Sequence, residues 1–186
     1  QFTQDILEHI PDADFIRHFY KALQSVTILD PTCGSGAFLF AAMNILEPFY
    51  ETCIERMEQF TAEEPRKYKF FHEILAEANS AEHPNLAYFI YKTIILNNLY
   101  GVDIMHEAVE IAKLRLFLKI VGAVDIDLRK PNLGLEPLPD IDFNIRAGNT
   151  LVGFASEDDF KTAVHKKEPI FASEIIPEFE DEFAIT

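Results

Sequence analysis

A strand, a glycine turn and a helix follow one another without a break near the start of the chain, and they limit the fold more than any other feature. Val26-Thr27-Ile28-Leu29 is a short apolar and β-branched run that ends at Asp30-Pro31. Proline has no N–H to give a ladder, so a strand is expected to stop there. Thr32-Cys33-Gly34-Ser35-Gly36 comes next, and residues 37–46 are then apolar almost all round. A helix without a polar face is expected to be buried.

The remaining segments repeat the alternation. The first 25 residues read as helical, with Asp12 and Asp14 at a cap and Phe15, Phe19 and Leu23 recurring at spacing four. Residues 48 to about 96 read as helical and more polar, with breaks near Pro65 and Pro84. There Glu51, Glu55 and Glu58 mark a wet face, and Phe49, Cys53, Met57 and Phe60 a dry one. Asn97-Asn98 reads as a turn ahead of a second strand, Leu99-Tyr100-Gly101-Val102-Asp103-Ile104. Residues 107–121 form a strong helical pattern. A loop with Pro131, Pro137 and Pro139 leads to a third short run over 143–147, closed by Gly148-Asn149. Residues 174–186 carry five acids and no base, the composition of a linker or tail.

Strands alternating with helices call for an α/β fold, a doubly wound parallel sheet with helices on its faces. Ligands of such sheets lie outside the carboxyl ends of the strands. Three features fall at that edge: residues 30–36, Val102-Asp103-Ile104, and Gly148-Asn149. A glycine pair lets a ligand pass close to the backbone. An acid ending the next strand can accept from vicinal ribose hydroxyls. An amide or acid after a third strand can meet an adenine edge. Together they describe an adenosine-containing cofactor, either a dinucleotide or S-adenosylmethionine.

Two details favour the methyl donor. The dinucleotide pattern wants a third glycine three residues after the second, where this chain has Leu39. Asp30, directly before the turn, would repel a pyrophosphate but can pair with the cationic end of S-adenosylmethionine. A phosphate-binding loop also fails, because no lysine follows Gly36. Bland readings stand beside these: Asp103 also suits a helix cap, and Asn149 an ordinary turn. Cys33 has no histidine beside it and reads as a small buried thiol rather than a nucleophile. The six histidines show no ligand spacing, so no metal site is expected.

The run Ile28-Leu29-Asp30-Pro31-Thr32-Cys33-Gly34-Ser35-Gly36-Ala37-Phe38-Leu39 resembles the first motif of adenine-specific DNA methyltransferases of restriction–modification systems. It is most similar to the large single-chain enzymes that fuse methylation with restriction. Tyr100-Gly101-Val102-Asp103-Ile104 and the helix after it resemble the second motif, and residues 144–153 the third. The resemblance covers about residues 15 to 155. It implies the Rossmann-like fold of the class I S-adenosylmethionine-dependent methyltransferases, a helical lead-in over 1–25, and a cofactor-binding domain over 26–155. It also implies a helical insertion at about 48–96 and an acidic tail or linker over 156–186. By the same resemblance Asp30 and Thr32 line the amino-acid end of S-adenosylmethionine, and Gly34 and Gly36 make the tight turn. Asp103 holds the ribose, Ile104 packs on the adenine, and Asn149, followed by Thr150, stands where the family often has Asp.

One departure is large. Adenine N6 transfer in this family uses an Asx-Pro-Pro-aromatic motif on a flipped base, and this sequence has no Pro-Pro pair among its ten prolines. The expectation is a cofactor-binding piece of a longer enzyme, inactive alone and with no catalytic residue of its own. The first residue is Gln rather than Met, in keeping with an excised piece. Net charge agrees: 16 Lys+Arg against 31 Asp+Glu give −15, which disfavours gripping a phosphate backbone. DNA is then expected to be held by a recognition domain elsewhere in the parent. Two cysteines and no long apolar run suit a cytoplasmic protein without a membrane span. The alternatives are a protein-glutamine or RNA methyltransferase piece, a non-catalytic S-adenosylmethionine-binding interaction module, and a nicotinamide oxidoreductase weakened by Leu39.

Overall fold

Two helices precede the first strand, α1 (Phe2–His9) and α2 (Ala13–Ser25). The structure, a computed structural model, describes residues 2–80, 83–124 and 141–152 together with 158, 161 and 162. Residues 1–150 form one compact unit and residues 151–186 a second. In the second unit the Thr162 hydroxyl donates to the Asp158 carbonyl over 2.7 Å. The Pro131–Pro139 loop and the acidic end lie outside the described residues.

In the first unit α2 begins at Asp12, whose carboxylate accepts from the Asp14 N–H at 2.9 Å. That bond satisfies one of the amides a helix start leaves open. Ile16, Tyr20 and Leu23, spaced four and three, are its buried stripe. β1 (Ile28–Asp30) follows, two residues further on than the apolar run suggested. The Val26 N–H still closes α2 by donating to the Ala22 carbonyl, so Val26 belongs to the cap.

α3 (Ala37–Glu63) then runs 27 residues, straight through Pro48. Its buried face is Leu39, Met43, Leu46, Tyr50, Cys53, Ile54 and Met57. The expectation of all-round burial over 37–46 does not hold: Phe38 is 61% and Ile45 63% exposed. They stand seven residues apart on the stripe opposite Leu39, Met43 and Leu46. The helix enclosed on nearly every side is α5 (Leu86–Asn97), where Tyr88, Phe89, Ile90, Tyr91, Ile94 and Ile95 are all buried. Between them lies α4 (Lys69–Ala78), and the breaks fall where Pro65 and Pro84 suggested. Each fully buried Leu, Ile or Met side chain in this set contributes roughly 1.5 to 3 kcal/mol.

β2 (Leu99–Asp103), α6 (His106–Gly122) and β3 (Ile145–Ala147) complete the unit. Among the described residues the sheet is parallel, in the order β1-β2-β3. Asp30 pairs in register with Gly101, and Asp103 with Ala147. The carboxyl ends of the three strands therefore lie side by side.

Two asparagines hold the opposite ends. Asn98 stands in the turn that its sequence position suggests, and it is fully buried there. Its Nδ2 donates to the Leu23 carbonyl at 2.8 Å and to Val26 at 2.6 Å, and its Oδ1 accepts from the Tyr50 hydroxyl at 2.9 Å. Its backbone carbonyl takes the Ile28 N–H, which sets β1 against β2. Asn144 enters β3 with Nδ2 on the carbonyls of Ile95, Leu96 and Leu99, each at 3.1 Å.

Removing the Asn98 carboxamide orphans two carbonyls and a phenol in the interior. Asn98→Ala should therefore lower the unfolding free energy by about 3 kcal/mol. Tyr50→Phe, which removes only one donor, should lose about 1 kcal/mol. Urea unfolding checks both, with the midpoint falling at an unchanged slope.

Candidate functional site

The glycine turn is built from peptide geometry. Gly34 has φ +50° and Gly36 φ +78°, the left-handed region that side-chain-bearing residues resist. The Asp30 carboxylate accepts the Thr32 N–H at 3.1 Å, an Asx turn that bends the chain off β1. The Cys33 N–H donates to the Val102 carbonyl at 2.9 Å, so the turn is fastened to the end of β2.

The two glycines do different work. A Cβ on Gly36 would come within 3.0 Å of the Ala112 Cβ, so this glycine lets the start of α3 press against α6. A Cβ on Gly34 would meet nothing within 4 Å, so its outer side is open. Beneath the turn, a Cβ on Gly101 would stand 2.9 Å from Leu39 Cδ1 and 3.1 Å from Cys33. The bare strand is what allows Cys33 and Leu39 to settle there. Cys33 is buried, and desolvation pushes its thiol up, with the charges of Asp103 and Asp30 adding to the effect. A thiol raised this way is a poor nucleophile.

Asp103 joins two of the three turns. Its Oδ2 accepts from the Gly34 N–H at 2.8 Å and its Oδ1 from the Met105 N–H at 2.9 Å. These amides, Met105 first and Gly34 second, hold the carboxyl below the usual carboxylate range. A carboxylate has about four lone-pair sites, so each oxygen keeps room for one more donor. The capping and the binding uses of Asp103 are thus compatible.

The third turn closes over the same edge. The Gly148 N–H donates to the Asp103 carbonyl at 2.8 Å, and the Thr150 hydroxyl donates to the Pro31 carbonyl at 3.1 Å. Asn149 lies exposed between these two anchors. Ile104, 73% exposed, continues the edge past Asp103. The structure thus brings Asp30, Thr32, Gly34, Asp103, Ile104, Asn149 and Thr150 to one open shelf at the strand ends, with Gly36 buried beneath it against α6. A cavity of about 200 Å³ lined by Gln24, Glu77, His83 and Lys92 among others shares no residue with it. Among the described residues no three His, Cys, Asp or Glu side chains gather as a metal site would need. None of the described helices is long and apolar enough to cross a membrane.

Sequence reasoning misses one contact at the shelf. Arg115 on α6 donates from Nη1 to the Ser35 carbonyl at 3.0 Å and to the Ser35 hydroxyl at 3.2 Å. Eighty positions separate the partners, and no local pattern connects them.

The glycine turn and the acid lie at adjacent strand ends, the edge at which parallel α/β sheets place their ligands. Residues 7–153 match the model of the MmeI DNA-methyltransferase domain, so this chain belongs to that family. It is also 39% identical over 146 residues to a Methanocaldococcus jannaschii protein named as the type II restriction enzyme and methyltransferase RM.MjaORFECS2P. The match takes in 77% of this chain and 10% of that protein. No solved structure matches the chain. The DNA-methyltransferase family expected from the motifs is therefore the family of this chain.

Two measurements test this geometry. Gly34→Ala should lose about 1 kcal/mol from its positive φ alone. Gly36→Ala adds the Ala112 overlap and should lose roughly 2 to 4 kcal/mol. Chemical denaturation of the two variants separates backbone strain from crowding. The pH dependence has a definite sign. The folded Asp103 carboxyl lies below its unfolded value. Its contribution is full above the unfolded pKa and is lost as pH falls through the folded one. Asp103→Asn should flatten that acid limb of a stability–pH curve and lower the neutral-to-alkaline limb by a constant amount without changing its shape.

Proposed function

We propose that the shelf binds S-adenosylmethionine and that the domain serves methylation of adenine N6 in DNA. The observation that carries the cofactor reading is the pairing of Asp103 with the open side of Gly34. A ligand laid across the turn meets bare backbone at Gly34 and a fixed carboxylate at its edge. Asp103 would hold the ribose hydroxyls on its remaining lone pairs. Asp30 and Thr32 would face the amino-acid end, Ile104 would cover one adenine face, and Asn149 with Thr150 would meet the adenine edge. When bound, the cofactor supplies an electrophilic methyl on a sulfonium.

The family supports a methyltransferase, and a methyltransferase of this kind acts on DNA. The sheet order β1-β2-β3 suits one half of a Rossmann-like, doubly wound sheet, with residues 26–155 as the cofactor part and 48–96 as its helical insertion. The resemblance of the first motif, Asp30-Pro31-Thr32-Cys33-Gly34-Ser35-Gly36, to that of adenine-specific enzymes supports adenine N6. With no Pro-Pro pair in the sequence, the segment that receives the adenine amine is assigned to another part of a longer polypeptide.

Titration calorimetry tests the reading. S-adenosylmethionine should bind, and Asp103→Ala should weaken binding at least about tenfold, as expected for losing a charge-assisted pair. Binding of NADH in its place overturns the assignment. Incubation of this chain alone with DNA and labelled cofactor should give no transfer; robust transfer would refute a separate catalytic segment.

A further inference from the structure

Two peptide units of the glycine turn lie in series between an anion and a cation. The Cys33–Gly34 unit gives its N–H to Asp103 Oδ2 at 2.8 Å. Its carbonyl, on Cys33, accepts the Gly36 N–H at 2.8 Å. That N–H belongs to the Ser35–Gly36 unit, whose carbonyl accepts from Arg115 Nη1 at 3.0 Å. The sequence of contacts thus runs from carboxylate to amide, amide to amide, and amide to guanidinium. Each peptide dipole points its positive end toward Asp103 and its negative end toward Arg115, the favourable sense at both ends. Hydrogen bonds arranged in series polarise one another, so the two charged ends strengthen the middle link.

We propose that Arg115 is a positioning residue for the ligand turn, the cationic end of a hydrogen-bonded chain whose anionic end is Asp103. The need for it is conformational. Both peptide units adjoin a glycine with positive φ, and glycine accepts either sign of φ with little penalty. Either unit can rotate about its neighbours unless both its N–H and its carbonyl are engaged. Among the described residues, Arg115 is the group that engages the Ser35 carbonyl of the relay. Its guanidinium is steadied by the Phe40 ring, 5.5 Å from the centroid. α6 therefore grips the turn at two points, Ala112 under Gly36 and Arg115 on Ser35. Ligand held by Asp103 would act on the same chain, so Arg115 and the ligand are coupled through the turn. This part rests on the S-adenosylmethionine reading; the relay itself does not.

Amide hydrogen exchange by NMR on the ligand-free chain tests the relay, and cofactor titration tests the coupling. Arg115→Met keeps the unbranched stem out to about the Nε position but removes the charge and the donors. It should raise exchange at Gly34 and Gly36 about tenfold. Ile94 and Ile95 in the core of α5 should exchange as before. Arg115→Lys should recover most of the protection, and in an Asp103→Asn background the Arg115→Met effect should shrink. S-adenosylmethionine affinity should fall about fivefold to tenfold in Arg115→Met. Unchanged exchange at Gly34 and Gly36 overturns the proposal, as does an equal rise at Ile94 and Ile95, which would make Arg115 a general stabiliser. If the unaltered chain binds no S-adenosylmethionine while the turn amides still depend on Arg115, the relay stands and the cofactor reading fails.

Discussion

The buried carboxamide of Asn98 sets the geometry on which the rest depends. It stands where α5 ends and β2 begins, and it reaches α2, the approach to β1, and α3 through Tyr50. A buried amide has a fixed number of donors and acceptors, so satisfying it admits one arrangement of the surrounding backbone. With Ile28 bonded to the Asn98 carbonyl, β1 cannot slip against β2. A one-residue slip would turn Asp30 away from the shelf and expose Ile28. The strands are three and five residues long, too short for the ladder alone to resist that.

From this fixed end the opposite edge follows. With Asp30 level with Gly101 and Asp103 level with Ala147, each loop must leave the sheet about one strand spacing from its neighbour. Their backbones are then close enough to bond. Cys33 reaches Val102, Gly148 reaches Asp103, and Thr150 reaches Pro31. The loops of the shelf are tied to one another by these bonds, although several of its residues are exposed.

How much of this can be read in the sequence depends on how local each cause is. Gly34 and Gly36 are legible because the positive φ they adopt is a property of the residue itself. Asp30 and Asp103 are legible because a strand, once placed, fixes where its last residue lies. The breaks at Pro65 and Pro84 are legible for the same reason: proline forbids the helix locally. Burial is less so. Residues 37–46 and α5 are both apolar, and only the packing decides that Phe38 and Ile45 face out while Ile94 and Ile95 face in. Asn98 carries the turn-forming chemistry of any asparagine, and its buried role depends on Leu23, Val26 and Tyr50, which lie 48 to 75 positions away. Arg115 is the extreme case, since its partner is a backbone carbonyl that has no residue identity to read.

The acidic balance takes on a more local meaning at the shelf. A net charge of −15 is a long-range property, screened beyond about 10 Å at ordinary salt. What a ligand meets are Asp30 and Asp103, one at the end of each of two adjacent strands. A nearby pair of carboxylates favours a cation and repels a polyphosphate at contact distance, where screening at ordinary salt is weak. Arg115, the cation nearest the glycine turn in the hydrogen-bond network, is turned to the Ser35 carbonyl and the Phe40 ring. Its charge serves the backbone there. The same arrangement that fixes the glycine turn therefore leaves the shelf acidic, a local polarity that favours a cation over a polyphosphate more than the total charge does.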